Sequence, residues 1–183
     1  MYILGIKKQD EVLETLEFFT SSDEGWVRYY RAPNTEQEWI MFYPQPESHG
    51  GGIRLLRKDP PPDDINDWIE YCFKSENPDD VNGLGLELSR KQDLWPDVIN
   101  WLEVNYSNIE KERLVRFIEL LGITIPMNRK NTIGIPFSEV EKDYQHLVDL
   151  SLRAKDILRH SNPRSTRPLL KAWRKWIQNI LGG

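Results

Sequence analysis

The 183-residue chain predicts an α+β fold, a helix with a small antiparallel sheet followed by a mostly helical region. Three observations carry that reading. Two runs rich in aromatic and β-branched residues, "GWVRYYRA" and "EWIMFYP", flank the turn-forming "PNTEQ". Beyond position 60, apolar residues recur mostly at steps of three or four. Between these regions lies "DPPPDD", Asp59 to Asp64, whose prolines can neither extend a ladder nor sit inside a helix. The sequence therefore divides into a head, residues 1–60, and a helical region, residues 61–183, as two domains or packed together as one unit.

In chain order, "KKQDEVLETLEFFTSSDEG" predicts a first helix, because Val12, Leu13, Leu16 and Phe19 recur at helical spacing. "GWVRYYRA" and "EWIMFYP" read as a hairpin with alternate side chains on opposite faces, and "IRLLRK" as a third strand. Trp26, Tyr29, Trp39 and Tyr43 supply its aromatic packing. "DDINDWIEYCFKS" places Ile65, Trp68, Ile69 and Cys72 on one helical stripe. Asp63, Asp64 and Asp67 fall near its positive N-terminal end. "NPDDVNGLGLELSRK" reads both ways, since two glycines weaken a helix and "LGLEL" suits a short strand. "WPDVINWLEVNY" carries Pro96 where a first helical turn tolerates it. "SNIEKERLVRFIELLG" has a capping box, Ser107/Glu110, and stops at Gly122. "ITIPMNRKNTIGIPF" is extended or loop. A second capping box, Ser138/Glu141, opens a helix with Val140, Tyr144, Leu147, Leu150, Ala154 and Ile157 on one face. "STRPLLKAWRKWIQNILGG" closes the chain as an amphipathic helix with Leu169, Leu170, Trp173, Ile177 and Ile180 on its stripe.

Composition narrows the function classes. The chain is 39% hydrophobic and 29% charged with a mean hydropathy of -0.61, enough to bury a core. No apolar run approaches the ~20 residues of a membrane span, and the N-terminus lacks the basic and long apolar regions of a signal peptide. Cytoplasmic residence without a membrane partner is expected. Cys72 is the only cysteine, and its apolar context, "DWIEYCF", suits a small core residue. Dispersed His49, His146 and His160 give no zinc-ligand spacing with it, so neither a metal nor a cofactor is expected. The net charge of -5 is unevenly spread. Residues 1–60 carry 7 Lys+Arg against 10 Asp+Glu, residues 61–108 carry 3 against 11, and residues 109–183 carry 14 against 8. The acidic middle is either a solvated face or a surface that steers a basic partner.

The stretch "EWIMFYPQPESHGGGIRLLRK" raises the sharpest question. A histidine followed by three glycines could supply the oxyanion amides of a hydrolase, but that fold also needs a G-x-S-x-G nucleophile elbow. The chain has none, nor the G-x-x-x-x-G-K-[ST] of a phosphate loop. The remaining reading is a turn that admits positive φ or close backbone approach and presents a rim of Tyr43, Gln45, Glu47, His49, Gly50, Gly51 and Gly52 for binding.

Residues 24–58 resemble the immunity protein 27 family of bacterial polymorphic toxin systems. The residues that carry the resemblance are Gly25-Trp26, Trp39, Tyr43-Pro44-Gln45, Glu47 and the run His49 to Gly52. The chain departs from the pattern at Ile53-Arg54, where prolines follow the glycines in the family, and in its long helical segment. The resemblance implies a cytoplasmic protein that binds a cognate toxin domain and blocks it without catalysis. Many such toxins have cationic clefts, so Asp63, Asp64 and Asp67 form a second candidate surface, alongside the plainer reading of acidic helix capping. Other readings are a non-enzymatic helical adaptor, a hydrolase, and a nucleic-acid binder using the basic C-terminal helix. The overall acidity makes the last unexpected.

Overall fold

The computed structural model describes residues 1–22, 25–44, 52–127 and 134–161. Among these, five strands form one antiparallel sheet: β1 (Tyr2–Ile3), β2 (Glu17–Ser22), β3 (Val27–Arg31), β4 (Glu38–Phe42) and β5 (Leu55–Asp59), in the order β1-β5-β4-β3-β2. Six helices accompany it: α1 (Ile6–Leu13), α2 (Ile65–Lys74), α3 (Pro78–Leu88), α4 (Trp95–Asn105), α5 (Lys111–Leu121) and α6 (Phe137–Ser161). Short 3-10 turns at Gln92–Leu94 and Tyr106–Asn108 bracket α4. The α+β prediction holds.

The predicted hairpin is β3 and β4, paired from Val27↔Phe42 to Arg31↔Glu38, and β5 is the predicted third strand. The first predicted helix is corrected. Only Ile6–Leu13 is helical, and the chain turns through Glu14–Leu16 into β2. The helical spacing continues through Leu16 and Phe19, but "EFFTSS" pairs with β3 instead. That pairing satisfies its backbone groups and suits its aromatic and β-branched residues. The two-residue β1 carries no periodic signal at all.

The two faces of the sheet pack differently. Ile3, Leu56, Met41 and Tyr30 lie against Val12, Leu13 and Leu16 from α1 and its turn. Opposite them, Tyr2 and Leu55 join a larger core with Trp68, Ile69, Leu84, Leu88, Ile99, Phe117, Leu150 and Ala154 from the helices. One apolar cluster therefore runs from the sheet through to α6.

Here α3 settles as a helix, and its glycines explain why the sequence reads ambiguously. A β-carbon at Gly83 would fall inside the Tyr2 side chain, 2.7 Å from its Cβ and nearer still to its ring. One at Gly85 would lie 3.0 Å from Leu120 Cβ and 3.2 Å from the Phe117 carbonyl oxygen. The glycines cost helix propensity but let α3 pack closely between β1 and α5. Neither predicted capping box forms. The N-cap of α5 is Glu110 itself, with no side-chain cap bond, and Ser138 lies inside α6. Gly122 does end α5, with φ of 74°. The predicted C-terminal helix lies outside the described residues.

Polar groups fasten sheet to helices. Glu87 of α3, 5% exposed, accepts from the Tyr2 hydroxyl (2.8 Å), Arg57 Nε (3.0 Å) and Lys91 Nζ (2.9 Å). Arg57 also donates to Asp59 (2.6 Å) and lies over the rings of Phe42 and Trp68. Asp80 accepts from the Tyr2 backbone N–H and the Ser75 hydroxyl, both at 2.6 Å. Buried Gln9 donates to the carbonyls of Ile3 (2.6 Å) and Arg54 (2.9 Å), tying α1 to both edges of the β1–β5 pair.

Candidate functional site

The register brings the β2–β3 turn and the β4–β5 connection to one end of the sheet. Ser22 pairs with Val27, Val27 with Phe42, and Phe42 with Leu55. Two sequence-predicted positions fall there. Tyr43, half-buried, meets the exposed Trp26 edge-on at 5.3 Å and 89°. Gly52 has φ of 70°, a left-handed conformation that a glycine adopts without strain. Arg90 Nε donates to the Pro44 carbonyl (3.2 Å), anchoring this rim to the C-terminal end of α3. Arg54, just before β5, donates to Gln9 and to Asp10 of α1, which holds the other flank. Gln45, Glu47, His49, Gly50 and Gly51 lie outside the described residues.

Next to this rim runs β2, the outermost strand of the sheet among the described residues, with all six of its residues exposed. Its register slips between Phe18 and Thr20, so Phe19 is an extra residue opposite β3. The adjacent rings go to opposite faces. Phe18, 57% exposed, packs edge-on against Tyr30 at 5.7 Å. Phe19, 46% exposed, tilts over Tyr29 at 6.1 Å and lies under the Arg31 guanidinium at 5.1 Å. Arg31 in turn pairs with Glu38 at 2.8 Å. An open edge offers unpaired backbone donors and acceptors, and this one adds aromatic surface on both sides. Such an arrangement suits contact with another protein chain. Sequence periodicity hides this edge, because the helical spacing takes Phe18 and Phe19 into a helix. The signal available is the run "EFFTSS" itself, β-prone and followed at once by turn residues.

The aspartates are elsewhere. Asp63, Asp64 and Asp67 follow the far end of β5, about 14 Å of strand from the loop end, so the structure does not gather them with Tyr43 and Gly52. All three are exposed, and Asp64 caps α2 by accepting from the N–H groups of Asn66 (2.7 Å) and Asp67 (3.3 Å). Cys72 is fully buried, and burial pushes its thiol well above the ordinary range. His146 and His160 sit exposed on α6, His160 beside Asp156. Among the described residues, no group of three or more His, Cys, Asp or Glu could hold a metal ion. No helix there is long and apolar enough to cross a membrane.

No curated protein and no solved structure matches the chain. A family match exists, and it falls on the part of the molecule just described. The resemblance over residues 24–58 lies inside it, and it extends back through β2 to the second half of α1. Residues 10–58 match the immunity protein 27 family.

Proposed function

We propose that this chain is an immunity protein that binds a cognate polymorphic-toxin domain in the cytoplasm and blocks it by occupancy, without catalysis. The observation that carries this reading is the match of residues 10–58 to the immunity protein 27 family. It is supported by what that segment builds, an open edge strand and a rim with Phe18, Phe19 and Trp26 exposed. Exposed aromatic residues beside unpaired backbone are the usual anchors of a protein interface. The helical region acts in this proposal as support, because its core includes Tyr2, Leu4 and Leu55 of the head.

Co-expression tests it. The toxin-like reading frame next to the gene, expressed alone, should arrest growth, and this protein should restore it. The two should co-purify at fixed stoichiometry, and the purified protein should turn over neither esters, phosphoesters nor nucleic acid. Stable binding to some other protein without protection would replace the immunity reading with the adaptor reading. Turnover lost on His49→Ala would replace it with a hydrolase.

A further inference from the structure

The six residues of β2 are all exposed, but their backbone groups do not all point the same way. Along an antiparallel pair, successive residues turn their N–H and C=O alternately toward the partner strand and away from it. Lys58 N–H donates to the Met1 carbonyl (3.1 Å), so Lys58 faces β1 and Arg57 faces β4. Arg57 meets Ile40, which therefore turns away from Tyr29, and Tyr29 faces β2. The hairpin gives the same phase: Ala32 N–H donates to the Gln37 carbonyl (2.9 Å), which leaves Arg31, Tyr29 and Val27 facing β2. Their partners on β2 are Glu17, Thr20 and Ser22. The bulge takes up Phe19, and Phe18 and Ser21 are left with N–H and C=O turned outward.

Two donors and two acceptors thus stand on the outer side of β2, with no strand beyond it among the described residues. Phe18 and Phe19 stand over the two faces of the same stretch. These are the groups that receive one more extended strand, the backbone bonding it and the rings covering its side chains.

Charge selects the strand. Residues 10–24 hold six Asp+Glu and no Lys or Arg. Asp10 pairs with Arg54, whereas Glu11, Glu14 and Glu17 are exposed. The arginines of β3 are engaged, Arg31 with Glu38 and Arg28 with the Gly25 carbonyl (3.3 Å). A second copy would bring the same acidic segment to the same edge, and like charges oppose such pairing. A strand carrying Lys or Arg beside its pairing residues meets this edge with opposite charge.

We propose that β2 takes up an extended strand of the toxin domain, bonded at Phe18 and Ser21, with Lys or Arg side chains of that strand facing Glu14 and Glu17. The partner's identity rests on the immunity reading; the mode of contact rests on the edge itself.

The test uses the full chain and, as probe, the toxin domain encoded next to the gene, inactivated by substitution. Ser21→Pro removes an outward N–H, which an outer strand tolerates, so the unfolding midpoint should stay near the wild type. Binding should weaken at least tenfold, while Ser21→Ala, which keeps the N–H, should bind within about twofold of the wild type. In the wild-type complex the Phe18 and Ser21 amides should exchange at least tenfold more slowly than in the free protein. Glu14→Gln with Glu17→Gln should weaken binding a few-fold at low salt and leave it unchanged at ~1 M. Wild-type affinity in a folded Ser21→Pro protein that still protects cells would overturn strand addition and leave the immunity reading standing. If Ser21→Pro fails to fold, unchanged exchange at Phe18 and Ser21 in the wild-type complex overturns strand addition instead. Unchanged affinity of the glutamine pair at low salt would overturn the basic strand. Phe18 and Ser21 amides already slow in the free protein would assign the edge to another segment of this chain, or to a second copy where the slowing grows with concentration. Neither protection nor binding by the wild type would overturn both readings together.

Discussion

A single cross-strand row, Tyr2–Arg57–Ile40–Tyr29–Thr20, crosses the whole sheet. At its β1 end Tyr2 is 1% exposed and Arg57 6%; Ile40 and Tyr29 are half-buried; Thr20 on β2 is open to solvent. The neighbouring row, Ile3–Leu56–Met41–Arg28–Ser21, passes from buried to exposed in the same direction. One edge of the sheet is thus enclosed by α3 and hydrogen-bonded to it, while the other has no helix over it among the described residues. The family match includes the open edge and stops before the helices that enclose the other. The contrast separates residues that hold the molecule together from residues available to a partner.

The largest effect should come from breaking the enclosed edge. Glu87→Ala removes the shared acceptor of Tyr2, Arg57 and Lys91 and leaves Arg57 buried with Asp59 as its remaining carboxylate. Removing one partner of a buried ion pair costs about 3–5 kcal/mol. The Asp59 contact places the expected loss near the lower figure, about 3 kcal/mol by urea unfolding. Tyr2→Phe, Arg57→Met and Glu87→Leu together should recover most of it, since neither the buried Arg57 charge nor the buried Tyr2 hydroxyl then remains without a partner. A loss under about 1 kcal/mol for Glu87→Ala would mean that apolar packing alone holds this edge.

The same network sets an alkaline limit. Burial first, and then the Glu87 charge, raise the Tyr2 phenol well above its ordinary value of 10.0. A group whose pKa is raised on folding gives stability that is complete below the unfolded value and is lost as pH rises through the folded one. Unfolding free energy should therefore decline above about pH 10, and Tyr2 should ionise only as the chain opens, seen as a late step in tyrosinate absorbance. Tyr2→Phe should flatten that decline.

Gly83→Ala comes next, at about 2 kcal/mol of destabilisation. The new β-carbon collides with Tyr2, which outweighs the roughly 1 kcal/mol gained in helix propensity. The two regions share one core, so the sheet and the helices should lose stability in a single transition. A first transition confined to the sheet would instead divide the chain near residue 60.

Much of this fold is legible in the sequence, and the failures have physical causes. Strands β3, β4 and β5 are readable because aromatic and β-branched runs stand between turn residues. Helices α2, α4 and α5 are readable from their apolar stripes. α3 is ambiguous because Gly83 and Gly85 answer to tertiary contacts, Tyr2 and Leu120, that no local window contains. β2 misleads because Leu16 and Phe19 continue the spacing of α1, whereas pairing with β3 decides its conformation. Of the candidate site, Tyr43 and Gly52 fall at the loop end of the sheet, on either side of the β4–β5 connection. The exposed pair Phe18 and Phe19 stays hidden as long as the helical spacing of α1 is extended through them.

The open edge should behave in the opposite way to the enclosed one. Phe18→Ser with Phe19→Ser removes rings that are about half exposed, so the stability loss should stay within about 1 kcal/mol. If the proposed function holds, binding to the toxin domain should nevertheless weaken tenfold or more, mainly through faster dissociation, as when interface anchors are removed. Asp63→Asn with Asp67→Asn gives the comparison, because both side chains are exposed and neither caps α2, a role held by Asp64. If the acidic face steers the toxin, this pair should slow association a few-fold at low salt, leave dissociation nearly unchanged and leave stability unaffected. Association at the wild-type rate would reduce the aspartates to a solvated surface and leave the β2 edge as the candidate interface. Unchanged affinity in the Phe18/Phe19 variant would shift the search to the loop end, beginning with Trp26→Ala and Tyr43→Ala.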